Sequence, residues 1–329
     1  MNRHTTIRLL AMTLLTVLLC AAAEPAAAQS SRARGMGGAF LGVSDDESAA
    51  YYNPAGLSQI QGREASLQMK VNERDMFNWT SLAFTGHIYE DNPKDTFSIT
   101  DYLEHNVLEE PVARRPKYSY GVAYTQDNRD VEFGKLVGGE FRGVKREVED
   151  LQLGFGTRFP IARRMLAREQ LYGGIKLRAT SADRWIKSLG THAKRDTQSL
   201  GLGLMYHYND RITGGMTVDN LVQRVDGAGE DRDGVSLNLG GAFTLTKGTI
   251  ISADATNITN SHDANEQQYR VGVEKKFIEN DLTIRLGSWN GTLTMGFGMH
   301  VLPNVRFDYS FYNGDVVKEH YVGGHMTFD

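Results

Sequence analysis

Large apolar side chains alternate with small, polar or charged ones along most of this chain, and this alternation constrains its fold more than any other feature. In residues 200–208, leucines and tyrosines occupy every second position, with glycines, a methionine and a histidine between them. Residues 235–245, 293–301 and 305–312 repeat the pattern. A period of two residues is that of a β-strand with two different faces. Beyond residue 28, no stretch reaches the roughly 18 apolar residues of a membrane helix, so the sequence predicts an all-β fold.

Two all-β architectures are compatible with this alternation. A soluble sandwich also alternates, with its polar residues facing water. Here the second face is rich in glycine, which weakens a water-exposed strand but gives room inside a closed barrel. The 35 glycines against 7 prolines also fit many strands joined by tight turns. We therefore favour a transmembrane antiparallel β-barrel over the sandwich.

The turn residues divide the chain into 14 strands, an even number that places both ends of the barrel wall on the same side. They are predicted near 64–73, 77–88, 117–136, 140–160, 170–181, 197–208, 211–222, 234–246, 249–258, 267–278, 281–289, 291–302, 304–313 and 319–328. Residues 127–150 could instead form a separate strand, which would give 15. We prefer one tall hairpin that turns at Gly138-Gly139. Residues 183–196 and 223–233 are predicted as long polar loops, and residues 100–107 as a short helix.

The N-terminal 28 residues have the pattern of a secretory signal peptide. Arg3 and Arg8 precede an apolar run, and Ala26 and Ala28 fit a small-residue cleavage site. The one cysteine, Cys20, lies in this run and would be removed with it, although a lipidated Cys20 is an alternative. We therefore predict three regions: a cleaved signal peptide (1–28), an N-terminal segment (29–62) and the barrel (63–329).

The stretch from residue 34 to residue 57 is glycine-rich, then acidic, and ends in Asn-Pro-Ala-Gly. It lacks the Gly-Lys-Ser/Thr ending of a phosphate-binding loop and has no preceding strand of a βαβ unit. Glycines would let the backbone fold tightly in a confined lumen. Asn53-Pro54 reads as an N-cap followed by an N1 proline, which opens a short helical turn. The acidic residues 45–47 could meet basic residues of the lumen.

The alternation also predicts which charged residues point into the lumen, because charges in a membrane barrel are tolerated there and not on the lipid side. Six of them are candidate contacts for the N-terminal segment: Arg158, Arg178, Arg270, Arg285, Arg306 and Asp308. The alternative is a salt-bridged lumen without a ligand. His320 and His325 are five apart, on opposite faces of a strand, so they form no metal pair. No constellation selects a nucleophile, and the net charge of −4 gives no case for nucleic acid. We expect no enzyme, cofactor or metal.

The motifs of residues 34–57 resemble the N-terminal segment of the FadL-like outer-membrane proteins. The resemblance rests on Gly-Met-Gly-Gly-Ala-Phe, an Asp-Asp pair, and Ala-Ala-Tyr-Tyr-Asn-Pro-Ala-Gly-Leu, and the chain looks closer to the PorV-like and TraF-like branch than to the fatty-acid transporters. It implies a 14-stranded barrel whose N-terminal segment folds into the lumen as a hatch. In the transporters, hydrophobic molecules reach the membrane through a lateral opening. The hatch or gate residues it implies are Gly35, Gly37, Gly38, Asn53, Pro54, Ala55 and Gly56.

Two hypotheses of function follow from the resemblance. The first is a channel for hydrophobic small molecules, fatty acids among them, in the outer membrane of a Gram-negative type of cell. The second is an outer-membrane scaffold that binds a secreted or envelope protein, which the short chain and the tall charged hairpin favour. Outer-membrane lipid would surround the barrel in either case.

Overall fold

A computed structural model of the chain describes residues 30–71, 76–89, 117–133, 142–159, 169–186, 191–227, 233–259, 267–277, 281–314 and 318–328. In this part of the chain, fourteen antiparallel strands close into a barrel, and β1 pairs with β14. The predicted 14-stranded β-barrel is confirmed. The predicted signal peptide, the helix at 100–107 and the turn at Gly138-Gly139 lie outside the described residues.

Three short helices precede the barrel. They are α1 (Ser31–Gly35), α2 (Ala49–Tyr52) and a 3₁₀ helix (Pro54–Gln59). The strands are β1 (Arg63–Val71), β2 (Met76–Ile88), β3 (Tyr118–Phe133), β4 (Arg142–Phe159), β5 (Gln170–Ile186), β6 (Thr191–His207), β7 (Ile212–Gly227), β8 (Ser236–Thr246), β9 (Thr249–Thr256), β10 (Gln268–Phe277), β11 (Leu282–Trp289), β12 (Thr292–Leu302), β13 (Val305–Asn313) and β14 (Lys318–Phe328).

Each strand pairs with its neighbours in sequence, so the barrel has two distinct ends. The start of β1 and the end of β14 lie together at one end, which we call the lower end. Two-residue turns at 247–248 and 303–304 also lie there. At the opposite, upper end, Asn290 and Gly291 both have positive φ (49° and 89°) and form the tight turn that the Asn-Gly pair predicts.

The wall is much taller on one side than on the other. Strands β8 to β14 have 8 to 11 residues, which matches the 9–11 residues of a strand that crosses a bilayer. Strands β3 to β7 have 16 to 18 residues and project beyond the upper end as a five-stranded extension. At about 3.3 Å per residue, the extra residues add on the order of 20 Å along each strand.

The prediction of polar loops at 183–196 and 223–233 is wrong, because most of these residues belong to strands of the extension. Residues 183–186 and 191–196, which were predicted as loop, pair across β5 and β6, and residues 223–227 continue β7. The alternation is weak here because both faces of the extension lie above the apolar band. Polar and aromatic cross-strand pairs hold the strands instead: Asp183 lies opposite Lys194, and the Trp185 ring stacks on His192 at 4.9 Å.

The two faces of the wall differ as the alternation predicts. Large apolar side chains of alternate residues are exposed on the outer face, for example Leu202 and Leu204 of β6 and Leu286 of β11. The inner face carries buried polar and charged groups, such as Asp150, Glu274 and Arg285. Among the described residues, no helix has the length and the apolar composition needed to cross a membrane.

Candidate functional site

The N-terminal segment (residues 30–62) packs against the inner face of the wall on every side. Ser31 Oγ donates a hydrogen bond to Gln68 of β1 (2.6 Å), and Tyr51 shares a hydrogen bond with Thr125 of β3 (2.9 Å). Across the lumen, Asp254 of β9 accepts hydrogen bonds from the backbone N–H groups of Phe40 (2.7 Å) and Leu41 (2.9 Å). Nearly all residues of the segment are buried, so it fills the lumen at this level.

Glycines of the wall make room for the segment. A methyl carbon at Gly154 of β4 would lie 2.9 Å from Leu57, and one at Gly156 would lie 2.7 Å from the carbonyl oxygen of Pro54. Wall glycines on other strands are equally close to the segment, namely Gly174, Gly203, Gly215, Gly240, Gly272 and Gly287. The glycine-rich face of the strands is therefore the face that contacts the segment, and a larger side chain there would displace its backbone.

The glycines of the segment itself have distinct structural roles. Gly37 and Gly38 follow α1 with φ of 66° and 74°, in the left-handed region that only glycine adopts at little cost. Gly38 N–H donates to the carbonyl of Ala33, which closes the end of α1. Gly56 lies against Ser44, whose Cβ would be 2.7 Å from a side chain at this position. Gly35 contacts Gly296 of β12.

Asn53 joins the two halves of the segment to the wall. Its side-chain oxygen accepts a hydrogen bond from Ala55 N–H (3.2 Å), which caps the 3₁₀ helix, with Pro54 at the first position. The predicted N-cap and N1 proline are confirmed. The Nδ2 group donates to the carbonyl oxygens of Leu41 (3.2 Å) and Leu204 of β6 (3.0 Å). All of the polar atoms of this buried side chain are therefore used.

The segment also carries an apolar cluster. Its members include Met36, Phe40, Val43, Tyr51, Tyr52 and Leu57, and it packs against Ala83 and Ala123 of the wall. The Phe40 and Tyr52 rings meet edge to face, with centroids 5.3 Å apart. This cluster is the main apolar surface that the described part of the lumen contains, because most buried residues of the wall itself are polar.

Buried ion pairs connect the segment to the wall. Arg32 of α1 binds Glu274 of β10 (Nε–Oε2, 2.8 Å), and Glu274 also binds Arg285 of β11 (2.7 Å). Arg285 in turn binds Asp308 of β13 (2.7 Å), which also holds Arg306 (2.6 Å). A charge without a partner would be very costly at this depth, so the members of this chain of contacts depend on one another.

The acidic run of the segment divides its contacts. Asp45 and Asp46 bind Arg32 of the same segment (2.6 and 2.9 Å), whereas Glu47 contacts His325 of β14 (2.7 Å). The expectation that these acids meet basic residues of the wall is therefore right for Glu47 and wrong for the two aspartates.

These contacts shift the protonation of the groups in the segment. Burial lowers the pKa of Arg32, but the charges of Asp45, Glu274 and Asp46 outweigh it and raise the pKa well above its usual value. Burial raises the pKa of Glu47, but the charge of His325 reverses the shift and lowers it to about 2. Burial and the charge of Glu47 raise the pKa of Asp46. Glu47 and Arg32 are therefore ionised at neutral pH.

The six lumen charges singled out from the sequence lie in four places. Arg285, Arg306 and Asp308 belong to the network around Arg32, and Arg270 lies against Gly38 and over the Trp289 ring (4.3 Å). Arg178 instead binds Asp150 (2.9 Å), which lies opposite Thr125, the residue that Tyr51 contacts. Arg158 lies opposite Tyr172, near the lower end.

Several residues of this site were missed by the sequence pattern. Arg32, Asp254 and Gln68 anchor the segment but belong to no motif. Asp254 had a signal, since it is the one carboxylate of β9 and shares its inner face with Ser252. Lys70 and Arg34 converge on Glu319 of β14 in a second ion-pair cluster.

Comparison with known proteins identifies the fold. No protein-family model matches the chain, and no curated protein matches it. Among solved structures, the toluene transporter TbuX of Ralstonia pickettii superposes with a TM-score of 0.60 at 12% identity, over 93% of this chain and 100% of that one. The chain shares its fold.

Two further structures agree with this result. The toluene transporter TodX of P. putida has a TM-score of 0.60 at 12% identity, over 92% of this chain and 99% of that one. A FadL homologue of Pseudomonas aeruginosa has a TM-score of 0.55 at 12% identity, over 92% and 98%. The likeness spans more than nine-tenths of this chain and, at this identity, shows the fold alone.

Proposed function

We propose that the chain is an outer-membrane channel for hydrophobic small molecules, in which residues 30–62 act as a hatch. One observation carries the proposal: the lumen of a FadL-like barrel is closed by a segment that is anchored at points around the wall. A barrel filled in this way is not an open aqueous pore, so a solute passes only where the hatch rearranges or the wall opens.

The chemistry of the lumen and the similar structures agree with this function. TbuX and TodX, which have the same fold, are toluene transporters. The apolar cluster of Phe40, Tyr52 and Leu57 is buried while the hatch is docked, so a hydrophobic solute would reach this surface only where the hatch rearranges. The hatch residues are Gly35, Gly37, Gly38, Asn53, Pro54, Ala55 and Gly56. The proposal involves no chemical reaction, and the channel would need export by the N-terminal signal peptide and insertion among outer-membrane lipids.

The test is uptake by vesicles that have lipopolysaccharide in one leaflet. Vesicles with the purified protein should take up labelled toluene faster than protein-free vesicles, while sucrose uptake stays the same in both. Asn53→Ala should change the toluene rate, because it removes the hydrogen bonds that hold the hatch to β6. Equal toluene uptake with and without protein would reject the proposal.

A second candidate function, a scaffold of the PorV-like kind that binds a secreted or envelope protein, is favoured by the five-stranded extension. Its last strand is paired on one side only in the described residues: residues 222–227 of β7 pair with β6, whereas the pairing with β8 ends at Asp219. An unpaired strand edge can receive a strand of another protein. Crosslinking in intact cells should then recover a protein partner, and recovery of none would count against this function.

A further inference from the structure

Three ionisable side chains from distant parts of the chain converge at the lower end of the barrel. Glu47 lies in the N-terminal segment, Glu64 is the second residue of β1, and His325 lies in β14. One donor atom of each lies within 4.8 Å of the others. His325 Nδ1 is 2.7 Å from Glu47 Oε2, and its Nε2 is 3.8 Å from Glu64 Oε1. We propose that these three residues form a zinc-binding site that ties the segment to the seam where the barrel closes.

The first support is the hydrogen bonding of the three groups. Glu47 Oε2 and His325 Nδ1 are buried, and neither has a partner in hydrogen-bond geometry within the described structure, although they are 2.7 Å apart. Glu64 Oε2 is also buried and lacks such a partner. Buried polar atoms are nearly always satisfied. An ion held by one donor atom from each of the three residues, which lie within 4.8 Å of one another, would satisfy these atoms.

The second support is the charge of the buried network. Its carboxylates are Asp45, Asp46, Glu47, Glu64, Glu274 and Asp308, and its guanidinium groups are Arg32, Arg285 and Arg306. Asp45 is 38% exposed, so five carboxylates in the interior of the network face three guanidinium groups. A protonated His325 would add one positive charge, whereas a divalent ion with a neutral imidazole adds two. Uncompensated buried anions are costly, and a cation between Glu47 and Glu64 would offset this excess.

The third support is the type of the donors. One imidazole nitrogen and two carboxylate oxygens suit zinc, which binds such ligands at about 2.0–2.2 Å and often has three protein ligands and an open position. Calcium and magnesium prefer oxygen ligands alone, and calcium takes six to eight of them. The Glu64 side chain is 13% exposed, compared with 2% for Glu47, so an ion would enter from the side of Glu64.

The site joins elements that the sequence keeps far apart. Ser66 of β1 pairs with His325 of β14, so both strands of the seam contribute a ligand. Glu47 contributes the third from a segment that is otherwise held by Arg32 and Asn53. Bound zinc would therefore stabilise the docked position of the segment, whichever solute the barrel carries.

The experiment uses the untagged, folded full-length protein after removal of metal with a chelator. Zinc titrated by calorimetry should bind with a stoichiometry of one, and His325→Gln should weaken this binding by about 100-fold or more, since loss of even an outer-shell partner costs 10–100-fold. His320→Gln is the matched control, because His320 lies on the same strand but bonds Tyr309 (2.7 Å). Zinc should also slow amide exchange of residues 45–49 in the wild type and in His320→Gln, but not in His325→Gln.

Glu64→Gln provides a second variant if His325→Gln does not fold, with Glu319→Gln, a carboxylate of the other ion-pair cluster, as its control. Absence of stoichiometric zinc would overturn the proposal. Glu47, Glu64 and His325 would then be held together by a protonated imidazole alone. Equal zinc binding by wild type, His325→Gln and Glu64→Gln would also overturn it, because the ion would then lie elsewhere.

Discussion

A single methyl group on the wall tests how tightly the N-terminal segment is packed. Strand β7 has two adjacent glycines that face opposite ways. A methyl carbon at Gly215 would lie 2.6 Å from the carbonyl carbon of Leu41 and closer still to its oxygen, whereas one at Gly214 would meet nothing within 4 Å. Gly215→Ala therefore forces the backbone of the segment away from β7, and Gly214→Ala provides the matched control.

The expected size of the effect follows from this overlap. The clash involves backbone atoms, which cannot rotate away as a side chain can, so the segment must shift by about 1 Å to restore ordinary contact. Adding a methylene to a packed interior costs about 1–3 kcal/mol. Replacing glycine by alanine also lowers the conformational entropy of the unfolded chain. The Gly214→Ala control includes the same contribution. The undocked population should thus rise by about 5- to 160-fold, since about 1.36 kcal/mol is a factor of ten.

Hydrogen exchange of the Phe40 and Leu41 amides measures this population. Both amides donate to Asp254 and are protected only while the segment is docked. We expect them to exchange about 5- to 160-fold faster in Gly215→Ala and at the wild-type rate in Gly214→Ala, while the amides of β11 remain protected in both. Equal exchange in the two variants would refute the close packing of the segment against β7.

Three further predictions concern the anchors and the outer face. Asn53→Ala should weaken docking by about 1–3 kcal/mol, because the buried carbonyl oxygen of Leu41 loses its Asn53 Nδ2 donor. Hydrogen exchange of the amides in residues 38–44 measures this change. Glu274→Gln should lower the free energy of unfolding in urea by about 3–5 kcal/mol, because Glu274 binds the buried Arg32 and Arg285. The control is Glu147→Gln, which removes an exposed ion pair with Lys145 and should cost less than about 1 kcal/mol. Leu286 lies on the outer face in the middle of β11, so Leu286→Arg should cost about 2–4 kcal/mol for folding into lipid vesicles. No cost would contradict a position at the centre of the bilayer.

The fold was largely predictable from the sequence, and the tall extension was not. Within the bilayer each strand separates lipid from lumen, so residues such as Leu202 and Gly203 report their side directly. In the extension both faces of β5 and β6 lie outside the apolar band, and Asp183, Trp185 and Lys194 show no alternation. A polar strand that is held by cross-strand pairs then resembles a loop in sequence.

The partners of the lumen charges were only partly predictable. Alternation places Arg285 and Asp308 on the inner face, and the structure joins them (2.7 Å). It does not give their depth or their neighbours across the lumen, which depend on strand register and on how the segment folds. The expectation of no metal rested on histidine spacing along the chain, whereas Glu47, Glu64 and His325 meet only because β1 pairs with β14.

The most direct test of a hatch-closed hydrophobic channel is the rate of labelled toluene uptake by lipopolysaccharide-containing vesicles, measured together with their ion conductance. The account predicts that the wild-type protein raises toluene uptake above that of protein-free vesicles while ion conductance stays at the protein-free level, because residues 30–62 fill the lumen. Toluene uptake equal to that of protein-free vesicles, or the steady conductance of an open aqueous pore, would contradict it.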